Sequence, residues 1–321
     1  MSDAPKNSAL SGILFVLGGS LVFSINDLAI KYLSGSYALH QVILTRALVG
    51  MVFLFLLIKV SGTGFRQLRT RRWREHLIRV SIVMVSNVTY FLGLAAMPLA
   101  DAVATAYVAP ILVTLMSVVV LGEKVGPHRW AAVAVGMLGV VVMLRPGAGV
   151  VQPAAILVLI SSFCYAASHM MTRRMRDTES AMAMGFYVQC GFVVVCSGMG
   201  LWSGDGHLAG SSDPALAFLF RAWMWPAPAD WQVLVAAGLA VAVGGLMVSQ
   251  AYRLNEAALV APFEYIGMPM AIFWGVVVFG MWPDLTAWLG IALICGAGLY
   301  TLWRETLRKK EVDLAAPFGD L

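Results

Sequence analysis

Stretches of about twenty mostly apolar residues recur ten times along this chain, and no soluble fold accommodates that pattern. About 20 apolar residues form a helix long enough to cross the hydrocarbon core of a bilayer. Runs of this kind lie near residues 10–33, 38–60, 77–97, 101–121, 127–145, 152–172, 181–202, 230–253, 257–280 and 286–304. In lipid every backbone polar group must be paired within its own segment, so each run reads as a helix. The expected fold is an all-α integral membrane protein with about ten transmembrane helices. Composition agrees, since only 12% of the residues are charged, against about a quarter in soluble domains.

The net charge of +5 raises the question of nucleic acid. The basic residues fall in short turns between apolar runs, which is the pattern of membrane orientation and not of a basic groove. With the N-terminus placed inside, 18 of the 22 Lys and Arg lie on the cytoplasmic side. They include Lys59, the cluster from Arg66 to Arg79, Lys124, Arg173, Arg174, Arg176, Arg253 and the group from Arg304 to Lys310. Only Arg145 and Arg221 face outward, and Lys31 and Arg46 lie inside or near the ends of spans. Both termini are therefore expected in the cytoplasm. The first run ends in Asn26-Asp27 and Lys31 with no small-residue cleavage site, so it reads as a span and not as a removed signal peptide. A bacterial inner membrane is the simplest location.

Cys164, Cys190, Cys196 and Cys295 all sit inside apolar runs with no CxxC pair. Neither a disulfide framework, a metal site nor a cofactor is expected from them. The one long outer loop, near 203–230, carries Trp223, Trp225 and Trp231, which read as interfacial anchors of a short membrane-surface helix. An occluding lid is the other reading.

The two halves repeat. A shift of 158 residues superposes Ala100 on Ala258, Tyr107 on Tyr265, Gly122 on Gly280, Trp130 on Trp288 and Leu144 on Leu302. Each half has five spans, an odd number, so the second must enter the membrane upside down. Inverted repeats of this kind belong to transporters that alternate access around a midplane site.

The segment from Pro98 to Gly147 resembles the repeat of the EamA family, within the drug/metabolite transporter superfamily. The resemblance rests on Pro110, Leu121-Gly122-Glu123, Trp130, Gly136 and Gly139. The second copy keeps Pro269, Gly280, Trp288 and Gly290 but has Met281-Trp282-Pro283 in place of Glu123. It implies two five-helix repeats, 1–147 and 148–304, with a cytoplasmic tail over 305–321. The first span, with Phe23 to Asp27 and Lys31, is similar to the branch holding riboflavin and S-adenosylmethionine carriers.

Charge within a bilayer is costly unless paired or hydrated, which singles out the few intramembrane ionisable residues. Asp27 and Lys31 are four apart and share a face. Arg46 lies about two turns into the second span, and Glu264 about two turns into the ninth. Asp27 and Glu264 are candidates for proton coupling, and Lys31 and Arg46 for holding a substrate carboxylate or phosphate. The competing reading is a static Asp27–Lys31 or Asp27–Arg46 pair that only fixes packing. The stretch from Ala261 to Pro269, with two prolines and a glycine, adds weight to Glu264, because such breaks are tolerated where backbone lines a cavity. Tyr107 and Tyr265 read as ligand-stacking groups or as core aromatics between the halves. Tyr90, Tyr165 and Gln250 add polar atoms for substrate or for helix bridging. His169 is placed at the lipid interface.

The function expected is a secondary transporter for a small polar organic metabolite such as an amino acid, vitamin or nucleoside-like solute. A riboflavin- or S-adenosylmethionine-type uptake carrier is the narrower alternative, and a non-transporting assembly factor is the alternative of another class. The chain has no phosphate-cradling Gly-Lys-Ser/Thr loop, no HExxH and no Gly-x-Ser-x-Gly, so neither ATP hydrolysis nor intramembrane enzymology is expected. The expected partners are the solute, protons and the lipid bilayer, with the chain as a monomer or homodimer.

Overall fold

The computed structural model describes residues 4–62, 64–122, 126–144 and 153–315, and every regular element among them is helical. Helices α1 (Ala4–Leu33), α2 (Leu39–Ser61) and α3 (Trp73–Ala96) are joined by short connections, the second holding a 3-10 turn, Phe65–Leu68. The fourth apolar run is split into α4 (Leu99–Ala106) and α5 (Ala109–Leu121), followed by α6 (Pro127–Leu144). Then come α7 (Pro153–Arg174), α8 (Ala181–Ser203), the short α9 (Pro214–Phe220) and α10 (Asp230–Leu254). The ninth run is split into α11 (Ala257–Val260), a 3-10 helix (Ala261–Ile266) and α12 (Gly267–Phe279), and α13 (Leu285–Ala315) completes the order.

Seven segments are long and apolar enough to cross a membrane, with α4 and α5 counted as one, and three shorter apolar helices accompany them. Large apolar side chains cover the outside: Val60, Val119 and Leu201 are 85%, 84% and 92% exposed. A surface of that kind is stable against lipid and not against water. The chain is a multi-pass membrane protein.

One expectation needs correction. The third helix starts at Trp73, not near 77, so Arg79 is not a loop residue. It is buried in α3, where its Nε donates to Thr172 Oγ1 at 2.9 Å and Nη1 to Met184 O at 3.2 Å. The last helix runs beyond 304 to Ala315, so much of the expected tail is helical. Glu123, Lys124 and Arg145 lie outside the described residues, as do the side chains of Lys6, Arg129, Arg308, Lys309 and Lys310.

The break between α4 and α5 has an identifiable cause. Pro110 has no N–H, and its ring clashes with the carbonyl four residues back, that of Ala106. The helix stops there and restarts with Pro110 in its first turn, where proline is tolerated. The Ser162 hydroxyl, 3.2 Å away, reaches the freed Ala106 carbonyl. Both restarted helices, α5 and α12, have 13 residues and end on a left-handed glycine, Gly122 at φ 68° and Gly280 at φ 64°. That conformation costs a residue with a Cβ roughly 1–2 kcal/mol.

The longest contacts join α1 to α10, α3 to α7, α6 to α13 and α2 to α8. At α3–α7 the backbones approach so closely that a Cβ on Gly93 would lie 2.9 Å from Ala154 O. Polar clasps close both ends of the bundle. On the basic face Glu179 accepts from Thr70 Oγ1 at 2.7 Å and meets His76 Nε2 at 3.1 Å. On the opposite face Tyr37 Oη donates to Asp230 Oδ2 at 2.5 Å, and Arg221 donates to Ser34 O. This carboxylate holds the Tyr37 phenol above the usual tyrosine range. The long loop folds α9 inward with Phe218 fully buried, while Trp225 remains 84% exposed.

Candidate functional site

The interrupted helices open a cavity of about 190 Å³ between the two halves of the chain. Ser20, Ser24, Asn26 and Asp27 of α1 line it, with Arg46 of α2 and Ser86, Asn87, Tyr90 and Phe91 of α3. Tyr107 and Pro110 border the break between α4 and α5. Ser161, Ser162 and Tyr165 of α7, Val241 of α10, Glu264 of the 3-10 helix and Gly267 of α12 complete most of the wall. The two carboxylates stand in two separate clusters.

The first cluster is built on α1, α2 and α3. Asp27 accepts from Tyr90 Oη at 2.9 Å and from Asn26 Nδ2 at 3.2 Å. Arg46 is 1% exposed and donates from Nη1 to Asn26 Oδ1 at 3.0 Å and from Nη2 to Asn87 Oδ1 at 3.1 Å. Its guanidinium lies 4.9 Å from the centre of the Phe91 ring and 5.6 Å from that of Phe192. Such cation–π contacts offset part of the cost of burying the charge. Arg46 Nε is buried with no hydrogen-bond partner. Arg46 is thus bound to neutral amides, and Asn26 stands between it and Asp27.

The second cluster surrounds Glu264, which is 6% exposed. Tyr252 Oη donates to its Oε1 at 2.6 Å and Tyr165 Oη to its Oε2 at 3.1 Å. Two phenolic donors on one buried carboxylate supply the partners that burial otherwise removes. The 3-10 turn Ala261–Ile266 aims the side chain. Tyr252 comes from α10, and Tyr165 comes from α7.

The expected site residues are therefore not all brought together. Asp27, Arg46, Tyr90, Tyr107, Tyr165 and Glu264 line the cavity. Lys31 does not. Its Nζ donates to Leu94 O at 2.7 Å and Met97 O at 2.5 Å, taking up carbonyls at the C-terminal end of α3. The expected Asp27–Lys31 and Asp27–Arg46 pairs are not formed, because neutral neighbours serve those groups at shorter reach. Gln250 faces the helix end, where Arg253 donates to it at 2.7 Å. Tyr265 is packed behind the wall, its ring 5.3 Å from that of Tyr107 and its hydroxyl 3.3 Å from Tyr107 O. His169 is not at the lipid interface but 6% exposed, its ring stacked 4.0 Å from that of Tyr252 and 4.2 Å from that of Tyr165. The i,i+4 spacing of Tyr165 and His169 on one helix carried that signal, and the sequence reading passed over it.

Among the described residues no group of three His, Cys, Asp or Glu is placed to hold a metal ion. A cavity between the helices of a multi-pass bundle, lined by two separately held carboxylates, fits the class of small-molecule transporters. Residues 10–145 match the EamA-like transporter family. A riboflavin transporter of Rhizobium johnstonii is 27% identical, over 96% of this chain and 95% of its own length. An S-adenosylmethionine uptake transporter of Rickettsia prowazekii is 22% identical, over 95% of this chain and 96% of its own. A solved crystal structure at 19% identity superposes with a TM-score of 0.70, covering 92% of this chain and 98% of the other.

Proposed function

We propose that this chain is a secondary transporter that moves a small polar metabolite through the central cavity by alternating access, with a flavin as the solute class the cavity suits best. The observation carrying this reading is the cavity wall, in which Tyr90, Phe91 and Tyr107 lie beside amides, hydroxyls and a guanidinium. A flat heteroaromatic ring stacks on the first group, and carbonyls and a polyol chain bond to the second. Arg46 Nε, which has no protein acceptor, suits a solute carbonyl or carboxylate. The similarity to riboflavin transporters supports the same solute.

A second reading has its own support. Asp27 and Glu264 both line the cavity, and two carboxylates favour a cationic solute such as S-adenosylmethionine.

Alternating access is supported by the symmetry of the bundle. The α1–α10 and α3–α7 contacts exchange under an inverted five-helix repeat, α6–α13 and α2–α8 map onto themselves, and α5 and α12 stand 158 residues apart. The ten-span arrangement then pairs residues 1–147 with 148–304. The basic face is cytoplasmic by the distribution of Lys and Arg, with both termini inside a bacterial inner membrane. The chain acts as a carrier and not as an enzyme.

The test is a thermal-shift comparison in detergent with riboflavin and S-adenosylmethionine, on wild type, Glu264→Gln and Asp27→Asn. A ligand at about 100 times its Kd stabilises the protein by about 2.7 kcal/mol. Riboflavin stabilising wild type, and less so either variant, supports the flavin reading. Stabilisation by S-adenosylmethionine alone replaces it with the second reading. Equal shifts in all three proteins remove the cavity carboxylates from the binding site.

A further inference from the structure

The cations of the basic face are concentrated in one place. From Lys59 to Arg79 the chain carries seven Lys and Arg against one acidic residue, Glu75. Two of the seven are used inside the protein. Arg79 is buried against Thr172 and Met184. Arg72 donates from Nε to Glu75 Oε1 at 2.8 Å and from Nη1 to Thr178 Oγ1 at 2.8 Å. The other five, Lys59, Arg66, Arg69, Arg71 and Arg74, are exposed. Among the described residues none of the five is paired with a carboxylate. The nearby carboxylates are already engaged, Glu179 by Thr70 and His76 and Asp177 by Arg176. Five like charges on one short stretch repel one another until an anion joins them.

The position of the patch says what carries that anion. Arg74, Leu77, Ile78, Ser81 and Val85 fall on one face of α3, and all five are exposed. The apolar members of this stripe face hydrocarbon. Arg74 stands one turn before Ile78, about 6 Å along the axis. Its guanidinium lies 5.3 Å from the centre of the exposed Trp73 ring. Trp and Arg so placed mark the depth of lipid headgroups. The end of α2 repeats the arrangement. Leu56 and Val60 are exposed there beside Lys59, and the Phe55 ring meets the exposed Phe65 ring edge-on at 5.8 Å. The cations therefore border lipid-facing surface on both flanking helices. A nucleic acid or a soluble acidic protein would approach from water and leave Trp73 and Phe65 uncovered.

The backbone under the patch is held in place. Tyr187 Oη of α8 donates to Leu68 O at 2.8 Å, and Thr70 and Arg72 reach Glu179 and Thr178. A ligand that binds here does not have to order the connection first.

We propose that the α2–α3 connection is a binding site for the phosphates of anionic phospholipids in the leaflet this face meets. Arg66, Arg69, Arg71 and Arg74 hold the phosphates, and Trp73 and Phe65 sit among the first carbons of the acyl chains. The guanidinium fork matches two phosphate oxygens. A zwitterionic lipid offers the same phosphate but cancels the attraction with its own ammonium. Each cation near an anionic surface adds about fivefold in affinity. None of these residues lines the cavity, so the site stands whatever the solute.

The test titrates the full chain, in neutral detergent, with phosphatidylglycerol or phosphatidylcholine and counts bound lipid by native mass spectrometry. Wild type is expected to bind phosphatidylglycerol about tenfold or more tighter. In Arg69→Gln with Arg74→Gln that preference is expected to fall about tenfold. The same loss of charge at the end of α13, Arg304→Gln with Arg308→Gln, is expected to leave it intact. Equal affinity for the two lipids in wild type overturns the proposal. Equal falls in both double variants do so too, because they report the net charge of the face and not a site. Glycerol phosphate competing as well as the whole lipid assigns a soluble ligand and overturns the lipid. Wild-type melting in phosphatidylcholine shows that the variants are folded. A second measurement needs no variant: the preference of wild type is expected to shrink between about 0.05 M and about 0.5 M salt, and a preference that ignores salt overturns the proposal.

Discussion

Single residues set the chemistry of this cavity. Glu264 has two phenolic partners, and Tyr252 stands at 2.6 Å on the one side chain of the pair that is fully buried. Tyr252→Phe removes a hydrogen bond of a buried carboxylate and is expected to cost about 1.5–3 kcal/mol where Glu264 is ionised, less where it is protonated. Denaturation in mixed micelles at two pH values measures the difference; an equal loss at both places Glu264 in one protonation state throughout. Arg46→Lys is expected to weaken solute binding as well as stability, because a single ammonium cannot reach Asn26 and Asn87 in the forked geometry of the guanidinium. A binding titration on the folded variant checks this. Much of the cavity was legible in the sequence, because charge is rare in these runs and Asp27, Arg46 and Glu264 stand out. Lys31 was misread because its partners are backbone carbonyls of α3, which carry no side-chain signal. His169 was placed at the lipid interface, whereas it is buried against Tyr165 and Tyr252, and the Tyr252 contact from another helix carries no local sequence signal.

At the scale of elements, proline and glycine placed the breaks. The sequence reading identified the interrupted ninth run from the Ala261–Pro269 stretch, and the structure splits that run and the fourth alike. It did not foresee that Ser162 of another helix would take up the Ala106 carbonyl, since such a contact depends on packing. The left-handed Gly122 allows a test with an internal control. Gly122→Ala meets no neighbour within 4 Å, so its cost is conformational alone, about 1–2 kcal/mol. Gly245→Ala, also in open space but inside α10, is expected to stabilise by about 0.5–1 kcal/mol. Equal effects of the two in an unfolding titration contradict the assigned backbone.

Across the whole molecule, clasps are formed on both faces at once, Glu179 with Thr70 and His76 on one and Tyr37 with Asp230 on the other. Contacts made together in one state act as fixed ties, which leaves the interrupted helices as the parts able to move. The Tyr37 phenol titrates above its ordinary value of 10.0 because it donates to the Asp230 carboxylate. Its share of stability is therefore complete below about pH 10 and is lost as pH rises through the raised folded value. Tyr37→Phe is expected to be less stable than wild type at neutral pH and to lose less stability above pH 10; parallel curves contradict this. The membrane class was readable from run lengths, whereas the solute was not, because it depends on the shape of one cavity.

The central claim is that solute crosses the membrane through that cavity. The most direct measurement is riboflavin counterflow into sealed proteoliposomes, comparing wild type with Glu264→Gln and with a cavity-filling Ser162→Phe. The account predicts saturable exchange in wild type that both variants reduce about tenfold or more while remaining folded. Wild-type exchange in both variants contradicts the assigned route, and absence of any riboflavin, S-adenosylmethionine or related solute flux in wild type contradicts the transporter function itself.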